Sequence, residues 1–314
     1  MTEAIIETQG LTKRYGAVTA VEDLTLSVPK GEIFGLLGPN GSGKTTTLSM
    51  ALGLVAPSAG KVRLFGEEMD GKGQALLQRV GAIIETPAFY PYLTGRQNLR
   101  YFAGISPRAR QEEVEPLLED VGLALRGNHK FSTYSQGMKQ RLGIAFALLG
   151  SPELVLLDEP TNGLDPAGMA EVRELIKGLN KDGRTVVLSS HLLHEVELVC
   201  DSVAILSRGK LIASGRVQDL LRQQGSVRLR TTDDARAREA LRRLTWVTQV
   251  GQEDGGLVVS GPTERSWELT KALAESQVYV KEMAMVQVSL ERYFLEVTGD
   301  GDQGQREQGG SHSP

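Results

Sequence analysis

Between residues 5 and 28 the chain alternates apolar and polar side chains around KRYGAVTA. This is the period-two pattern of a twisted antiparallel sheet whose strands meet at glycine-containing turns. GEIFGLLG, residues 31–38, breaks the alternation with a short apolar run. Such a run reads as a strand buried on both faces, and it leads directly into a glycine-rich loop and the helical TTTLSMALGL. Further on, residues 108–128 and 137–149 read as helices. ELVLLD and TVVLSS read as apolar strands separated by the helical PAGMAEVRELIKGLNKDG. Strands alternating with helices predict a parallel sheet at the centre of the domain.

The pattern changes near residue 225. SVRLRT, a charged helix DDARAREALRRL, a hairpin-like WVTQVGQEDGGLVVSG, another helix, VYVKEMAMVQ and a closing SLERYFLEVTG make a small α+β unit, an open sheet with helices on one face. The last sixteen residues, GDGDQGQREQGGSHSP, hold almost nothing apolar and are expected to be disordered. No internal repeat is present.

A chain of 314 residues suits one large α/β domain plus a small one. Apolar residues at 40%, charged residues at 24% and a net charge of −4 leave no basic excess for nucleic acid, so no nucleic-acid partner is expected. The single cysteine, Cys200 in ELVCDSVAIL, rules out an internal disulfide and reads as a small buried hydrophobe in a reducing compartment. MTEAIIETQG lacks the basic start and apolar core of a signal peptide. The most apolar stretch, Leu142 to Leu157, is broken by Gly150, Pro152 and Glu153 and is too short to cross a bilayer. Work at a membrane would need a partner that supplies the spanning segments.

GPNGSGKT, Gly38 to Thr45, has the spacing of a phosphate-binding loop, and its context of buried strand before and helix after supports that reading. Gly38, Pro39, Asn40, Gly41, Ser42 and Gly43 would turn backbone N–H groups around a β-phosphate at the positive end of the following helix, together with Thr46. Lys44 would reach the β- and γ-phosphates, and the Thr45 hydroxyl would ligate Mg²⁺. ELVLLDEP is an apolar strand ending in two acids, costly to bury without a cation nearby. Asp158 is the natural Mg²⁺ partner, and Glu159 is placed to accept a proton from an attacking water. Standing alone, the pair would be solvent-facing acids at a strand end.

Four further features identify the resemblance. YSQGMKQRL, Tyr134 to Leu142, resembles the signature motif of ABC ATPases, and NGLDP, Asn162 to Pro166, resembles their D-loop. His191, after TVVLSS, sits where that family has its switch histidine. Tyr15 in LTKRYG matches its adenine-stacking aromatic. The motifs stand in family order between residues 5 and 222. The resemblance implies an α/β phosphate-loop NTPase fold of ABC type, with an antiparallel β subdomain and a helical subdomain at residues 86–150. That ATP-binding domain would cover residues 1–224, followed by the small α+β domain at 225–298 and the tail at 299–314.

The resemblance also implies an ATPase that binds ATP and Mg²⁺ and works as a head-to-tail homodimer. In it Ser135, Gln136 and Gly137 of one chain meet the γ-phosphate held by Lys44 of the other, with Asp165 in the D-loop between them. Taken alone, Ser135 is a helix N-cap, Tyr15 a half-buried strand aromatic and His191 a solvent-facing histidine. His129 and His194 keep that plain reading.

The chain departs from the family pattern at Glu85, where most members have a glutamine that contacts Mg²⁺ and the attacking water. A carboxylate there adds charge beside Asp158 and Glu159. Glutamate followed by PAFYPYLTG is similar to a subgroup that includes bacitracin-resistance and lantibiotic-immunity exporters, and the C-terminal unit resembles an extra domain on drug-exporter ATPases. That domain reads equally as a dimer-stabilising or regulatory module and as a packing extension. The signature is altered at Tyr134, Gln136 and Met138.

The implied function is the ATP-hydrolysing subunit of an exporter of antibiotic, peptide, drug or lipid-like compounds. It would sit in the cytoplasm, peripheral on the inner face of the cell membrane. There it would drive a separate multi-spanning permease, whose cytoplasmic helix is gripped around Glu85 to Thr94. An importer subunit, and an ABC ATPase acting on nucleic acid or the ribosome, are the alternatives; the tandem domains or inserted coiled coil usual in the latter are lacking. A non-catalytic partner is disfavoured by the joint presence of Lys44, Asp158, Glu159 and His191.

Overall fold

The computed structural model describes residues 3–69, 73–85, 88–180, 183–223, 225–253, 255–286 and 289–298. Its internal contacts divide the chain into two units, Met1–Ser214 and Gly215–Pro314. The expected tail at 299–314 lies outside the described residues, as do Thr86 and Pro87 in the segment after Glu85.

The alternating N-terminal segment forms two twelve-residue strands, β1 (Ala4–Tyr15) and β2 (Val18–Pro29), paired antiparallel across a turn at Gly16. β4 (Ala59–Leu64) pairs antiparallel with the other edge of β1, and β5 (Glu67–Glu68) closes this sheet in the order β2-β1-β4-β5. The second sheet holds β3 (Ile33–Leu37), β6 (Val80–Ile83), β7 (Leu154–Leu157), β8 (Thr185–Ser190), β9 (Ser202–Ser207) and β10 (Lys210–Arg216) in the order β10-β9-β3-β8-β7-β6. The pairs from β9 to β6 are parallel. Every residue of β3, β7 and β8 is buried, as strands covered on both faces must be.

Helices α1 (Lys44–Ala51), α2 (Gly73–Leu77), α6 (Pro166–Leu179) and α7 (Leu193–Glu197) belong to this sheet layer. One core, including Leu11, Leu24, Leu64, Leu36, Leu48, Leu156 and Val187, joins the two sheets. A separate core that includes Leu99, Leu118, Phe131, Tyr134 and Leu142 holds α3 (Gly95–Ile105), α4 (Val114–Asp120) and α5 (Gln136–Leu148). This is the helical subdomain. Its second helix corrects the sequence expectation: α4 covers only seven residues of the 108–128 segment. Gly122, at φ +66°, stops it, with its N–H donating to the Glu119 carbonyl and that of Leu123 to Leu118.

In the second unit α8 (Val217–Gln223) precedes a βαββαβ arrangement. Strands β11 (Ser226–Thr231), β12 (Gln249–Glu253), β13 (Gly256–Ser260) and β14 (Val280–Val286) form an antiparallel sheet in the order β12-β13-β11-β14. That is the split βαβ, ferredoxin-like topology. α9 (Asp234–Leu241) and α10 (Ser266–Glu275) bury Ala237, Leu241, Leu269 and Leu273 against Val227, Leu229, Leu257 and Val259, and α11 (Leu290–Thr298) follows. Among the described residues no helix is long and apolar enough to cross a membrane.

Cys200 is buried where the chain leaves α7 for β9, and a Cβ added at Gly35 of β3 would stand 3.1 Å from its Sγ. Burial pushes the thiol far above its ordinary range, so it stays protonated at neutral and mildly alkaline pH. Because the thiolate is the reactive form, iodoacetamide at pH 8 is expected to leave the native protein unmodified and to alkylate it fully in urea. Rapid native alkylation, read by mass spectrometry, would contradict this packing.

Candidate nucleotide site

Four neighbouring strands end at one rim of the parallel sheet, and each delivers part of a site there. β3 runs into the 38–45 loop, β7 into Asp158 and Glu159, β8 into Ser190 and His191, and β6 into Glu85. In open α/β sheets ligands bind beyond the carboxyl ends of the strands.

The loop is shaped by close backbone approach. Gly38, at φ +150°, lies so near the Leu206 carbonyl and Ser42 that an added Cβ would overlap both. Gly43, at φ +103°, passes the Ala20 carbonyl of β2, where a Cβ would stand 2.5 Å away. Only glycine accepts either position. Ser42 N–H donates to the Pro39 carbonyl, and the first N–H of α1 with an intrahelical acceptor is that of Thr47, to Gly43. Gly43 provides no side-chain cap, so the N–H groups of Lys44, Thr45 and Thr46 lack capping partners at the positive helix end. Ser42 Oγ is buried without a hydrogen-bond partner. Pro39, Asn40 and Gly41 are exposed along the rim of the loop. A polyanion of phosphate size satisfies these donors, so the residues present fit a nucleotide phosphate chain.

Lys44, only 5% exposed, donates to the carbonyls of Gly38 at 2.7 Å and Pro39 at 3.2 Å, and its Nζ lies 3.3 Å from Glu159 Oε1. Asp158 is 4% exposed, and Thr45 Oγ1 donates to it at 2.8 Å from Oδ2. Ser189 Oγ donates to Asp158 Oδ1 at 2.5 Å and accepts from the Glu159 N–H at 2.9 Å. Glu159 itself sits at φ +47°, a left-handed turn at the strand end, with Oε2 2.8 Å from His191 Nδ1. Two carboxylates and a hydroxyl against one lysine ammonium make a donor set that fits a hard divalent cation, which Thr45 and Asp158 would hold.

Lys44, Thr45, Asp158, Glu159 and His191 are thus brought into one hydrogen-bonded group. Ser189 belongs to it and was missed by sequence reasoning; its only signal is its place before Ser190 and His191 in TVVLSS. Glu85 follows the end of β6 at φ +62°, exposed, and stands outside the bonded group. Tyr15 is 50% exposed at the end of β1, with Lys13 Nζ 5.0 Å from its ring centre. The same hairpin touches the loop through Ala20 and Gly43, so an exposed aromatic face lies on the element that borders the phosphate cradle.

The signature residues lie elsewhere, on the helical subdomain. Ser135 caps α5, its Oγ accepting from the Met138 N–H at 3.3 Å, and Ser135 and Gln136 are exposed. Gly137 faces the D-loop, 3.9 Å from Leu164 Cδ2 if given a Cβ. Asp165 is exposed and caps α6 by accepting from the Gly168 N–H at 3.1 Å, with Pro166 as the first helical residue.

Comparison with known proteins agrees with this geometry. The family profile described as ABC transporter matches residues 21–162. The bacitracin transport ATP-binding protein BcrA of Enterococcus faecalis is 39% identical over 301 residues, covering 95% of this chain and 98% of that protein. The linearmycin resistance ATP-binding protein LnrL of Bacillus subtilis (strain 168) is 35% identical, covering 94% of this chain and 98% of its own length. Among solved structures, an ATP-binding cassette captured as a dimer in a post-hydrolysis state with ADP and Pi superposes with a TM-score of 0.61 at 25% identity. It covers 68% of this chain and 98% of that one. A relative 39% identical over nearly its whole length settles the family: the chain belongs to the ABC transporter ATP-binding proteins and is an ATPase.

Proposed function

We propose that this ATPase powers an exporter of antibiotic-like or other amphiphilic compounds, closing as a head-to-tail dimer of two copies around two ATP molecules. The observation that carries the two-copy reading is the split within one chain. The phosphate cradle with Lys44, Asp158 and Glu159 is complete on the sheet rim, whereas Ser135, Gln136 and Gly137 lie on a different subdomain, where they can face a second copy. The dimeric ADP and Pi cassette supports it, and the names of the bacitracin and linearmycin relatives support the export reading.

In this reading Tyr15 stacks on adenine, and the N–H groups from Gly41 to Thr46 hold the α- and β-phosphates. Lys44 moves from the Gly38 and Pro39 carbonyls onto the β- and γ-phosphates. Thr45 and Asp158 would hold Mg²⁺, which when bound would offset charge on the phosphate oxygens. Glu159 accepts the proton of the attacking water as the new P–O bond forms and the γ-phosphoryl leaves ADP. His191, 2.8 Å from that carboxylate, fixes its direction. Glu85 adds a third carboxylate beside the Asp158 and Glu159 strand end. Ser135 and Gly137 of the second copy complete the γ-phosphate site, with Asp165 at the seam.

The partner is a multi-spanning membrane permease, and this chain works beside it on the cytoplasmic face of the membrane. Its contact is the segment after Glu85. There Tyr92 is 66% exposed, and it and Tyr101 of α3, 45% exposed, pack on Tyr90 with ring centres 5.8 and 5.2 Å apart. Exposed aromatics on a fixed backbone suit the seating of a helix from another chain.

Lys44→Ala is expected to weaken ATP binding roughly tenfold to a hundredfold, the scale of a lost charge-assisted hydrogen bond. Unchanged affinity in titration calorimetry would remove Lys44 from the site. A tagged chain recovered from detergent-solubilised native membranes is expected to bring a multi-spanning membrane protein in stoichiometric amount, identified by mass spectrometry. Recovery only from the soluble fraction would move its work away from the membrane.

A further inference from the structure

Tyr134 stands immediately before the exposed Ser135, yet it is only 5% exposed itself. Its hydroxyl donates to the Arg126 carbonyl at 2.9 Å, and its ring tilts against Phe131 with centres 5.9 Å apart. The hydroxyl also lies against Gly95, the first residue of α3, so closely that a Cβ added there would overlap it. Burial raises the phenol above its ordinary pKa and keeps it a donor.

The two segments that meet at this ring are strapped together along their length. Arg96 N–H donates to the Gly127 carbonyl at 2.9 Å, and Gly95 N–H to His129 at 3.2 Å. Phe131 N–H donates to Leu93 at 2.9 Å and Ser132 N–H to Pro91 at 3.0 Å. Thr94 and Lys130 form a β-bridge between them. Residues 88–94 are in turn fixed to α3 by the fully buried Asn98. Its Oδ1 accepts from the Tyr90 N–H at 2.9 Å, and its Nδ2 donates to the Tyr90 carbonyl at 3.1 Å and the Thr94 carbonyl at 3.0 Å. Thr94 and Gln97 add a reciprocal capping box at the start of α3. The segment carrying Tyr90 and Tyr92 and the segment running into Ser135 therefore behave as one rigid piece, with the Tyr134 hydroxyl at its end.

We propose that Tyr134 is a positioning residue for the signature: wedged between Gly95 and the Arg126 carbonyl, it sets where Ser135 and Gly137 meet the second copy's nucleotide. Movement of the 88–96 segment is thereby passed to the signature through the glycine-to-ring contact rather than through the phosphate loop. A smaller side chain at position 134, or a larger one at position 95, would uncouple the two. This inference rests on the two-copy reading above.

The test uses the full chain carrying Glu159→Gln, in which hydrolysis is blocked and the ATP-bound dimer is expected to accumulate. The ATP concentration giving half-maximal dimer is measured by light scattering for the parent, Tyr134→Phe, Gly95→Ala and the pair. ADP affinity by calorimetry reads the phosphate loop alone and confirms folding. Tyr134→Phe and Gly95→Ala are each expected to raise the ATP midpoint roughly threefold to tenfold, the scale of one lost hydrogen bond, with ADP affinity unchanged. Tyr134→Phe removes the hydroxyl oxygen that the methyl group introduced by Gly95→Ala would strike first, leaving ring Cζ 3.0 Å and Cε2 3.3 Å from it, so the effect of the pair is expected to fall short of the product of the two single effects. Midpoints equal to the parent's, effects that multiply in the pair, or a parallel loss of ADP affinity would overturn the inference while leaving the two-copy reading in place. A parent that forms no dimer with ATP would overturn both.

Discussion

Burying a carboxylate to 4% exposure is costly without hydrogen-bond partners, and the rest of this site is organised around supplying them to Asp158. Thr45 reaches it from the first turn of α1 and Ser189 from the end of β8, so three separate chain segments are pinned at one point. Ser189 also takes the N–H of Glu159, which fixes the turn that aims that carboxylate between Lys44 and His191. The left-handed backbone at Glu159 is tolerated because these contacts over-determine it.

The strand order makes this convergence possible. β3, β8, β7 and β6 are consecutive neighbours in one parallel sheet, although β6 (Val80–Ile83) and β7 (Leu154–Leu157) are far apart along the chain. Parallel strands point their carboxyl ends the same way, so the phosphate loop, the two acids, the histidine and Glu85 gather on one rim. The signature belongs to a different core, that of α3, α4 and α5, and Ser135 and Gln136 face outward from it. On the proposed reading, a chemistry that needs both sets therefore needs two copies of the chain.

Much of this was legible in the sequence because the decisive elements are local. The glycine spacing of residues 38–45, the apolar runs of β3, β7 and β8, and the paired acids at 158 and 159 each carry their meaning within a few residues. What escaped depends on adjacency in space. Ser189 reads as an ordinary strand residue until β7 is laid beside β8. The early end of α4 follows from Gly122 adopting a left-handed conformation, which a helical pattern over 108–128 conceals. The strap between residues 91–96 and 127–132 has no periodic signal at all, since it is made by backbone groups of segments distant along the chain. The second unit was recognisable as α+β, but its split βαβ order emerges only from the strand pairing.

The central claim is that each catalytic site is shared between two chains, and complementation tests it most directly. A Lys44→Ala chain and a Ser135→Arg chain are mixed in equal amounts and assayed for phosphate release. Each variant alone is predicted to be nearly inactive, while the mixture recovers roughly a quarter of parent activity, because about half of randomly paired dimers hold one intact composite site. Activity in the mixture no greater than the mean of the two separate variants, or full activity of Ser135→Arg alone, would contradict the shared site.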